Sequence, residues 1–171
     1  MERALASALE LGLIEDAAIA QSKAQAAAFW SLREHQSAAQ KPQGAVWKHD
    51  VSTPISNIAR FIDEASAAMA AFAPGARVLA FGHLGDGNIH FDVLQPVGGD
   101  PKAHSARRDE AARVVHDIVA RLDGSISAEH GLGAMKTAEA LRYKSSVEVE
   151  ALRAVRRALD PGRIMNPRVL F

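Results

Sequence analysis

The sequence of 171 residues contains no cysteine, and this absence excludes three kinds of chemistry. Disulfide bonds, cysteine-based zinc sites and thiol nucleophiles all require that residue. Any bound metal ion must therefore be held by histidine, aspartate or glutamate. The chain has 7 histidines and 20 acidic residues that can supply such ligands.

Long apolar runs and an excess of one charge are also missing. No stretch approaches the roughly 20 apolar residues that a membrane-spanning helix needs, and no signal-peptide block follows Met1. The 20 basic and 20 acidic residues cancel and neither sign clusters, which argues against binding to nucleic acid or anionic membranes. These absences together predict a cytoplasmic protein without a membrane span.

The spacing of apolar residues predicts a single α+β domain. Its expected sheet is small, mainly antiparallel and ferredoxin-like, and helices cover it. We expect helical structure over 1–40, with a break at Gly12 and a helical stretch over 16–40. Further helices are expected over 54–72, 101–122, 134–142 and 146–159. Strands are expected over 45–51, 77–81 and 89–94, with a short extended piece over 124–130. Three strands make a thin sheet for so many helices and the tail ends on Phe171, so we expect a fragment of a larger protein.

Two histidines flank the predicted hairpin between the second and third strands. If Asp86-Gly87 forms a two-residue turn, His83 lies directly opposite His90, with the Cβ atoms about 5 Å apart. Asp92 lies two residues further along the same face. Two imidazoles this close favour metal binding, whereas a structural role is favoured for the histidines without such a partner: His35, His49, His104 and His116.

A second polar cluster, Glu129-His130, is followed by Gly131 and Gly133. Two histidines with one glutamate match a catalytic zinc site, in which three protein ligands leave one coordination position open. His83, His90 and Glu129 would supply that set. His130 would remain free to act as an acid or base near neutral pH.

Three further polar residues lie upstream of this cluster. Arg33 and Ser37 are four residues apart on a predicted helix, and Lys48 follows on the first strand. A guanidinium fork, a hydroxyl and an ammonium group together suit an acidic small molecule. Taken alone, these residues are more often parts of surface ion pairs than of a binding site.

The familiar nucleotide and protease motifs are not found in this sequence. Lys136 stands where a dinucleotide fingerprint would need its third glycine, and no phosphate-binding loop or H-E-x-x-H pair occurs. Two alternatives to a redox enzyme stay open from the residues alone. One is a zinc-dependent hydrolase with His130 moving protons, and the other is an inactive binding or interaction fragment.

Several segments resemble the C-terminal half of the FAD-linked D-2-hydroxyacid dehydrogenases. The segments are Trp30-Ser31-Leu32-Arg33-Glu34, Trp47-Lys48-His49-Asp50-Val51-Ser52, Gly82-His83-Leu84-Gly85-Asp86-Gly87-Asn88-Ile89-His90, Ala128-Glu129-His130-Gly131-Leu132-Gly133, and Asp160-Pro161 through Asn166-Pro167. They span nearly the whole chain. Each segment alone is a modest signal, and their combination is specific.

The resemblance implies a role for each residue that the patterns single out. It implies that His83, His90 and Glu129 bind a metal, usually zinc, and that His130 is the base. It implies that the substrate is contacted by Arg33, Ser37, Lys48 and Asp92, and that Asn166 approaches FAD. Ser37 and Asp92 stand where members acting on 2-hydroxyglutarate have Thr and Asn, so the identity of the substrate stays open.

The resemblance also implies properties of a complete enzyme. It would oxidise a small 2-hydroxy acid to a 2-oxo acid and pass electrons to an acceptor protein or quinone. The family's N-terminal FAD-binding domain is absent from this sequence, so we expect the chain alone to be inactive. Apolar surface left uncovered by that domain favours a homodimer.

Overall fold

The computed structural model describes residues 1–169, so the last two residues of the tail, Leu170 and Phe171, lie outside the described part. The chain divides into two compact units, Met1–Pro42 and Gln43–Phe171. Within the described residues, none of the helices has the length and apolar character needed to cross a membrane.

The first unit contains three helices, α1 (Glu2–Glu10), α2 (Lys23–Glu34) and α3 (Gln36–Ala39). The prediction of a helix over 16–40 is wrong at its start, because α2 begins only where the Ser22 side chain accepts a hydrogen bond from the backbone N–H of Gln25. The helix is also interrupted at His35, so Arg33 and Ser37 lie in different helices.

The second unit contains a three-stranded antiparallel sheet and five α-helices among its described residues. The strands are β1 (Val46–Ser52), β2 (Arg77–His83) and β3 (Asn88–Leu94), and β3 lies between the other two. The helices are α4 (Ile58–Phe72), α5 (Pro101–Ala106), α6 (Arg108–Arg121), α7 (Thr137–Tyr143) and α8 (Ser146–Leu159). This arrangement confirms the predicted α+β class.

Helix boundaries in this unit differ from the sequence predictions where capping residues decide them. The predicted helix over 101–122 is divided at Arg107 into α5 and α6. The start of α8 agrees with the prediction, because Ser145 and Glu148 form a reciprocal capping box. The predicted extended piece over 124–130 forms a single bridge, between Ser52 and Ser125, and no further strand.

The predicted register of the β2–β3 hairpin is wrong by two residues. His83 pairs with Asn88 rather than with His90, because a 3-10 turn over Leu84–Asp86 and Gly87 connects the strands. Gly87 adopts φ 69°, and a Cβ there would lie 2.2 Å from the carbonyl oxygen of Thr53. A shift of two residues keeps side chains on the same face, so His83 and His90 still point to one side of the sheet.

The two faces of the sheet differ in chemistry. Helices α4 and α6 pack on the face that carries the odd-numbered residues of β1 and β3, and the core there includes Trp47, Val51, Phe61, Ile89, Phe91, Val93, Val115 and Val119. The opposite face carries alternating polar residues, Lys48 and Asp50 on β1 and Asn88, His90 and Asp92 on β3. The candidate site lies on this polar face.

Candidate functional site

The carboxylate of Glu129 lies between the two histidines of the hairpin. Its Oε1 is 2.9 Å from His83 Nδ1, and its Oε2 is 3.5 Å from His90 Nε2. Glu129 therefore contacts both of the histidines that the sequence grouped with it, whereas the three groups whose donor atoms all lie within 4.8 Å of one another are Asp50, His90 and Glu129. The two histidines lie at diagonal positions of β2 and β3 rather than at directly opposed ones.

Glu129 reaches this position because its segment is attached to the end of β1. The backbone groups of Ser52 and Ser125 exchange two hydrogen bonds of 2.8 and 2.9 Å, and the N–H of Ala128 donates to the carbonyl of Asp50 at 3.3 Å. Gly124 permits the close approach, since a Cβ there would lie 2.2 Å from the Ser52 carbonyl oxygen. The loop that follows therefore runs along the polar face.

Asp50 is a residue of this polar cluster that sequence reasoning did not single out. Its Oδ2 accepts hydrogen bonds from the backbone N–H groups of Glu129 (2.9 Å) and His130 (2.8 Å), and its Oδ1 accepts one of 3.1 Å from Asn88 Nδ2. The signal available was its place on β1, where it shares the polar face with Lys48. Nothing in the sequence indicated that it would bond to a loop about 80 residues away.

The pKa of Asp50 reflects two opposing effects. Burial acts to raise this pKa, but the hydrogen bonds from the His130 and Glu129 backbone amides outweigh it, helped by the nearby charges of His130 and Lys136. The pKa of Asp50 therefore lies below its ordinary value. The side chain is an anion near neutral pH, in the middle of the cluster.

His130 lies beside Asp50 and is open to solvent. Its Nδ1 is 3.5 Å from Asp50 Oδ2, and its side chain is 68% exposed. The His130 and His90 rings stack with centroids 5.8 Å apart. A molecule approaching this face can therefore reach His130 without displacing buried groups.

Lys48 and Asp92 occupy paired positions on the same face. They are directly opposed in the β1–β3 ladder, and Lys48 Nζ lies 3.9 Å from Asp92 Oδ2. Asp92 is buried, whereas half of the Lys48 side chain is exposed. Arg33 and Ser37 belong to the first unit, at the end of α2 and within α3.

Asn166 lies in the tail that follows α8. It adopts a left-handed conformation with φ 44°, and its carbonyl accepts a 3.2 Å hydrogen bond from Arg156 Nη2. The adjoining cavity of about 250 Å³ is lined mainly by the apolar residues Leu152, Val155, Leu159, Met165 and Val169. Its size and apolar lining do not suit a whole dinucleotide.

The polar cluster fits a divalent metal ion. One donor atom from each of Asp50, His90 and Glu129 lies within 4.8 Å of the others, and His83 contacts the same glutamate. Imidazole and carboxylate donors are the ligands that zinc and similar ions take in the absence of thiolates. The residues present can therefore hold such an ion.

Comparison with known proteins identifies the family. Residues 1–170 match the family model described as FAD linked oxidases, C-terminal domain. The chain is 37% identical over 168 residues to D-2-hydroxyglutarate dehydrogenase of Xanthomonas citri pv. viticola, which covers 98% of this chain and 35% of the relative. It is 34% identical over 174 residues to D-2-hydroxyglutarate dehydrogenase of Stutzerimonas stutzeri, covering 99% of this chain and 37% of the relative.

A plant relative gives a similar match. Mitochondrial D-2-hydroxyglutarate dehydrogenase of Arabidopsis thaliana is 35% identical over 167 residues, which covers 98% of this chain and 28% of the relative. The chain therefore spans about a third of the length of the curated relatives it matches. Because the family model covers nearly the whole sequence, the chain belongs to the family of FAD-linked oxidase C-terminal domains.

Proposed function

We propose that this chain is the substrate- and metal-binding part of an FAD-dependent dehydrogenase that oxidises a D-2-hydroxy acid to a 2-oxo acid. The names of its relatives support the reaction class. The observation that carries the proposal is the Glu129 carboxylate between His83 and His90, with His130 adjacent. Such a group of donors on an exposed polar face is typical of a metal site with room for a small ligand.

His83, His90 and Glu129 would hold the metal ion, which is zinc or a similar divalent cation. When bound, such an ion polarises the substrate hydroxyl as a Lewis acid and lowers its pKa. The side chains of His83 and Glu129 are 52% and 40% exposed, so a substrate oxygen can approach from solvent. The His90 side chain is 17% exposed and forms the inner wall of the site.

His130 removes the proton of the substrate hydroxyl in this proposal. Imidazole is the commonest general base near neutral pH, and this one is exposed beside the metal ligands. FAD would be held mainly by the part of such an enzyme that this chain does not contain, and it would supply the acceptor for the α-hydrogen and its electron pair. Asn166 is proposed to contact FAD from the tail.

The substrate carboxylate is proposed to be bound by Arg33, Ser37 and Lys48. This assignment rests on the family resemblance and on the chemistry of the three side chains. Asp92 is proposed to contact the rest of the substrate. Its buried carboxylate, 3.9 Å from Lys48 Nζ, disfavours a substrate with a second negative charge at that point.

Location and partners belong to the same proposal. The cytoplasmic setting stays a prediction, since the Arabidopsis relative is named as mitochondrial and the two bacterial relatives are not. The electron acceptor, a protein or a quinone, and the homodimer also stay predictions.

Metal analysis of the purified chain tests the proposal first. We expect about one zinc ion per chain by elemental analysis, and loss of that ion in His83→Ala and His90→Ala. The exposed His35, which lies in the first unit, provides the matched control His35→Ala with full zinc content. Full zinc content in both hairpin variants would contradict the proposed ligand set.

Measurements of ligand binding then distinguish the proposed dehydrogenase function from the two alternatives, a zinc hydrolase and an inactive fragment. Calorimetric titration of the zinc-loaded chain with D-lactate and D-2-hydroxyglutarate should show binding of at least one acid, and Glu129→Gln should abolish it. No oxidation is expected with a dye acceptor and no flavin domain. Hydrolysis of an ester at a rate that depends on His130 would instead favour the zinc hydrolase, and binding of neither metal nor acid would favour an inactive fragment.

A further inference from the structure

We propose that the second unit holds a further binding site, for a small organic carboxylate, in a cavity between β1, α6 and the start of α7. This cavity is separate from the polar cluster, because none of His83, His90, Glu129 and His130 lines it. The proposal goes beyond the proposed function, since it needs neither a metal ion nor flavin.

Three elements form the walls of the cavity, whose volume is about 320 Å³. Trp47 lines it from β1, and Lys136 lines it from the residue before α7. Arg108, Ala112 and His116 follow one another at a spacing of four residues, which places them on one face of α6. Ligand sites in proteins usually measure about 300 to 1,000 Å³, so this cavity has room for a small molecule.

Two cations of this cavity have no carboxylate partner. Within residues 1–169, no carboxylate oxygen lies within 4.0 Å of Lys136 Nζ or of the Arg108 guanidinium nitrogens. Lys136 Nζ donates one hydrogen bond of 2.9 Å, to the Ile126 carbonyl, whereas an ammonium group has three N–H donors. Lys136 therefore has donors to offer to a ligand.

The surroundings of Lys136 disfavour its positive charge. Burial is the largest cause and lowers the pKa of Lys136, the more distant charge of Asp50 acts to raise it, and the charge of Arg108 lowers it further. A half-buried ammonium group thus lies near a second cation. A bound carboxylate would be attracted by both groups and would offset that cost.

Glu139 and Lys48 also line the cavity, and each of them has a partner of its own. Glu139 lies 3.3 Å from His116 Nδ1 and 3.6 Å from Arg113 Nε. Lys48 Nζ lies 3.9 Å from Asp92 Oδ2 on the polar face of the sheet. These contacts compensate the charges of Glu139 and Lys48.

The remaining titratable groups leave the cavity with a positive charge. Arg108 and Lys136 carry one positive charge each, and Asp109 carries one negative charge. The buried His49 adds none, because burial lowers its pKa to about 4. A ligand with a single negative charge would balance the cavity.

The lining also indicates the kind of anion. The planar guanidinium of Arg108 matches the two oxygens of a carboxylate. Trp47, Ala112 and Met135 add apolar surface, which suits a hydrocarbon body attached to that carboxylate. The short 2-hydroxy acids named above lack such a body, so we expect them to bind this cavity only weakly.

NMR titration of the metal-free, ¹⁵N-labelled 171-residue chain with benzoate tests the proposal, and benzamide serves as the uncharged ligand of the same shape. The chain has 2 tryptophans, and Trp47 lines the cavity whereas Trp30 lies in the first unit, so their indole N–H signals report separately. We expect the Trp47 signal to move with a dissociation constant of about 1 mM, and the Trp30 signal to stay. Benzamide should bind about 10-fold more weakly or less.

Variants of the two cations make the test specific. Arg108→Gln and Lys136→Gln should each weaken benzoate binding by about 10- to 100-fold, because each removes a charge-assisted hydrogen bond. Arg121→Gln is the matched control, since Arg121 lies on the same helix, pairs with Glu64 and does not line the cavity. Lys136 also holds the Ile126 carbonyl, so the exposed Arg108→Gln decides the result if Lys136→Gln fails to fold.

Several results would overturn the inference. They are an unmoved Trp47 signal, equal affinity for benzamide, equal affinity for inorganic phosphate, and unchanged benzoate binding in a folded Arg108→Gln. His90→Ala, which lacks a proposed metal ligand, should still bind benzoate, and loss of binding there would place the ligand on the polar face instead. A chain that binds benzoate in the cavity but no zinc would refute the metal part of the proposed function and leave this inference standing.

Discussion

Acid should destabilise the second unit through His49, and the size of the effect follows from its burial. His49 lies on the apolar face of β1, is 3% exposed, and its Nδ1–H donates to the Phe91 carbonyl at 2.7 Å. Burial is the largest cause of its shift and lowers the pKa of His49 from 6.5 to about 4, against the raising effect of the hydrogen bond to Phe91. The ring is therefore neutral in the folded chain.

The sign and the pH range follow from proton linkage. Below pH 6.5 the unfolded chain takes up a proton on His49 that the folded chain refuses until about pH 4. The stability that the neutral ring contributes is complete above the unfolded pKa and is lost as the pH falls through this window. At 1.36 kcal/mol per pKa unit, the free energy of unfolding should fall by about 2 kcal/mol by pH 5 and by about 3 kcal/mol by pH 4.

Comparison with His49→Asn separates the effect of His49 protonation on the free energy of unfolding from the effect of the carboxylates that titrate in the same pH range. His49→Asn keeps a donor for the Phe91 carbonyl but cannot be protonated. Urea unfolding can be followed by Trp47 fluorescence in a Trp30→Phe background, because the chain has 2 tryptophans and only Trp47 lies in the core.

The wild-type chain should lose about 2 kcal/mol more than His49→Asn between pH 7.5 and 5. His35→Asn, at an exposed histidine, should behave like the wild type. Equal losses in the wild type and in His49→Asn would refute the reasoning.

Three structural predictions test other parts of the fold. Phe61→Ala should lower the free energy of unfolding by about 3 to 5 kcal/mol in urea titrations, since the ring is fully buried in the core, and a loss below 1 kcal/mol would contradict that packing. Gly124→Ala should lower the free energy of unfolding by about 1 to 3 kcal/mol and reduce zinc binding, because a Cβ would lie 2.2 Å from the Ser52 carbonyl oxygen. Wild-type values for both quantities would show that the loop does not need the close contact between Gly124 and Ser52. Ser145→Ala should lower the free energy of unfolding by about 1 kcal/mol in thermal or urea unfolding, because it removes the acceptor for the Glu148 N–H. An unchanged free energy of unfolding would mean that the cap does not stabilise α8.

The hairpin shows why a wrong local detail still left both histidines on one face of the sheet. The two-residue turn at Asp86-Gly87 was wrong, and His83 does not face His90 directly. The observed register differs by two residues, which is the period of side-chain direction in a strand, so both rings stay on one face. A difference of one residue would have placed His83 among the core residues.

The helical breaks were less predictable because they depend on competing local signals. Apolar and alanine-rich spacing continues through 16–40, yet the Ser22 cap starts α2 and a break at His35 ends it. Periodicity reports which face of a helix is apolar, whereas ends are set by individual hydrogen bonds. The start of α8 at Ser146 was predicted correctly, and the structure shows a capping box of Ser145 and Glu148 there.

By itself the sequence determined the α+β class and the polar and apolar faces of the strands, with His83 and His90 on the same face. These are consequences of local periodicity and of residue type. Only the tertiary structure decided that Asp50 lies beneath the Glu129-His130 motif and that Glu129 spans His83 and His90. Those contacts join residues 39 to 80 positions apart, and packing of the loop against the end of β1 selects them.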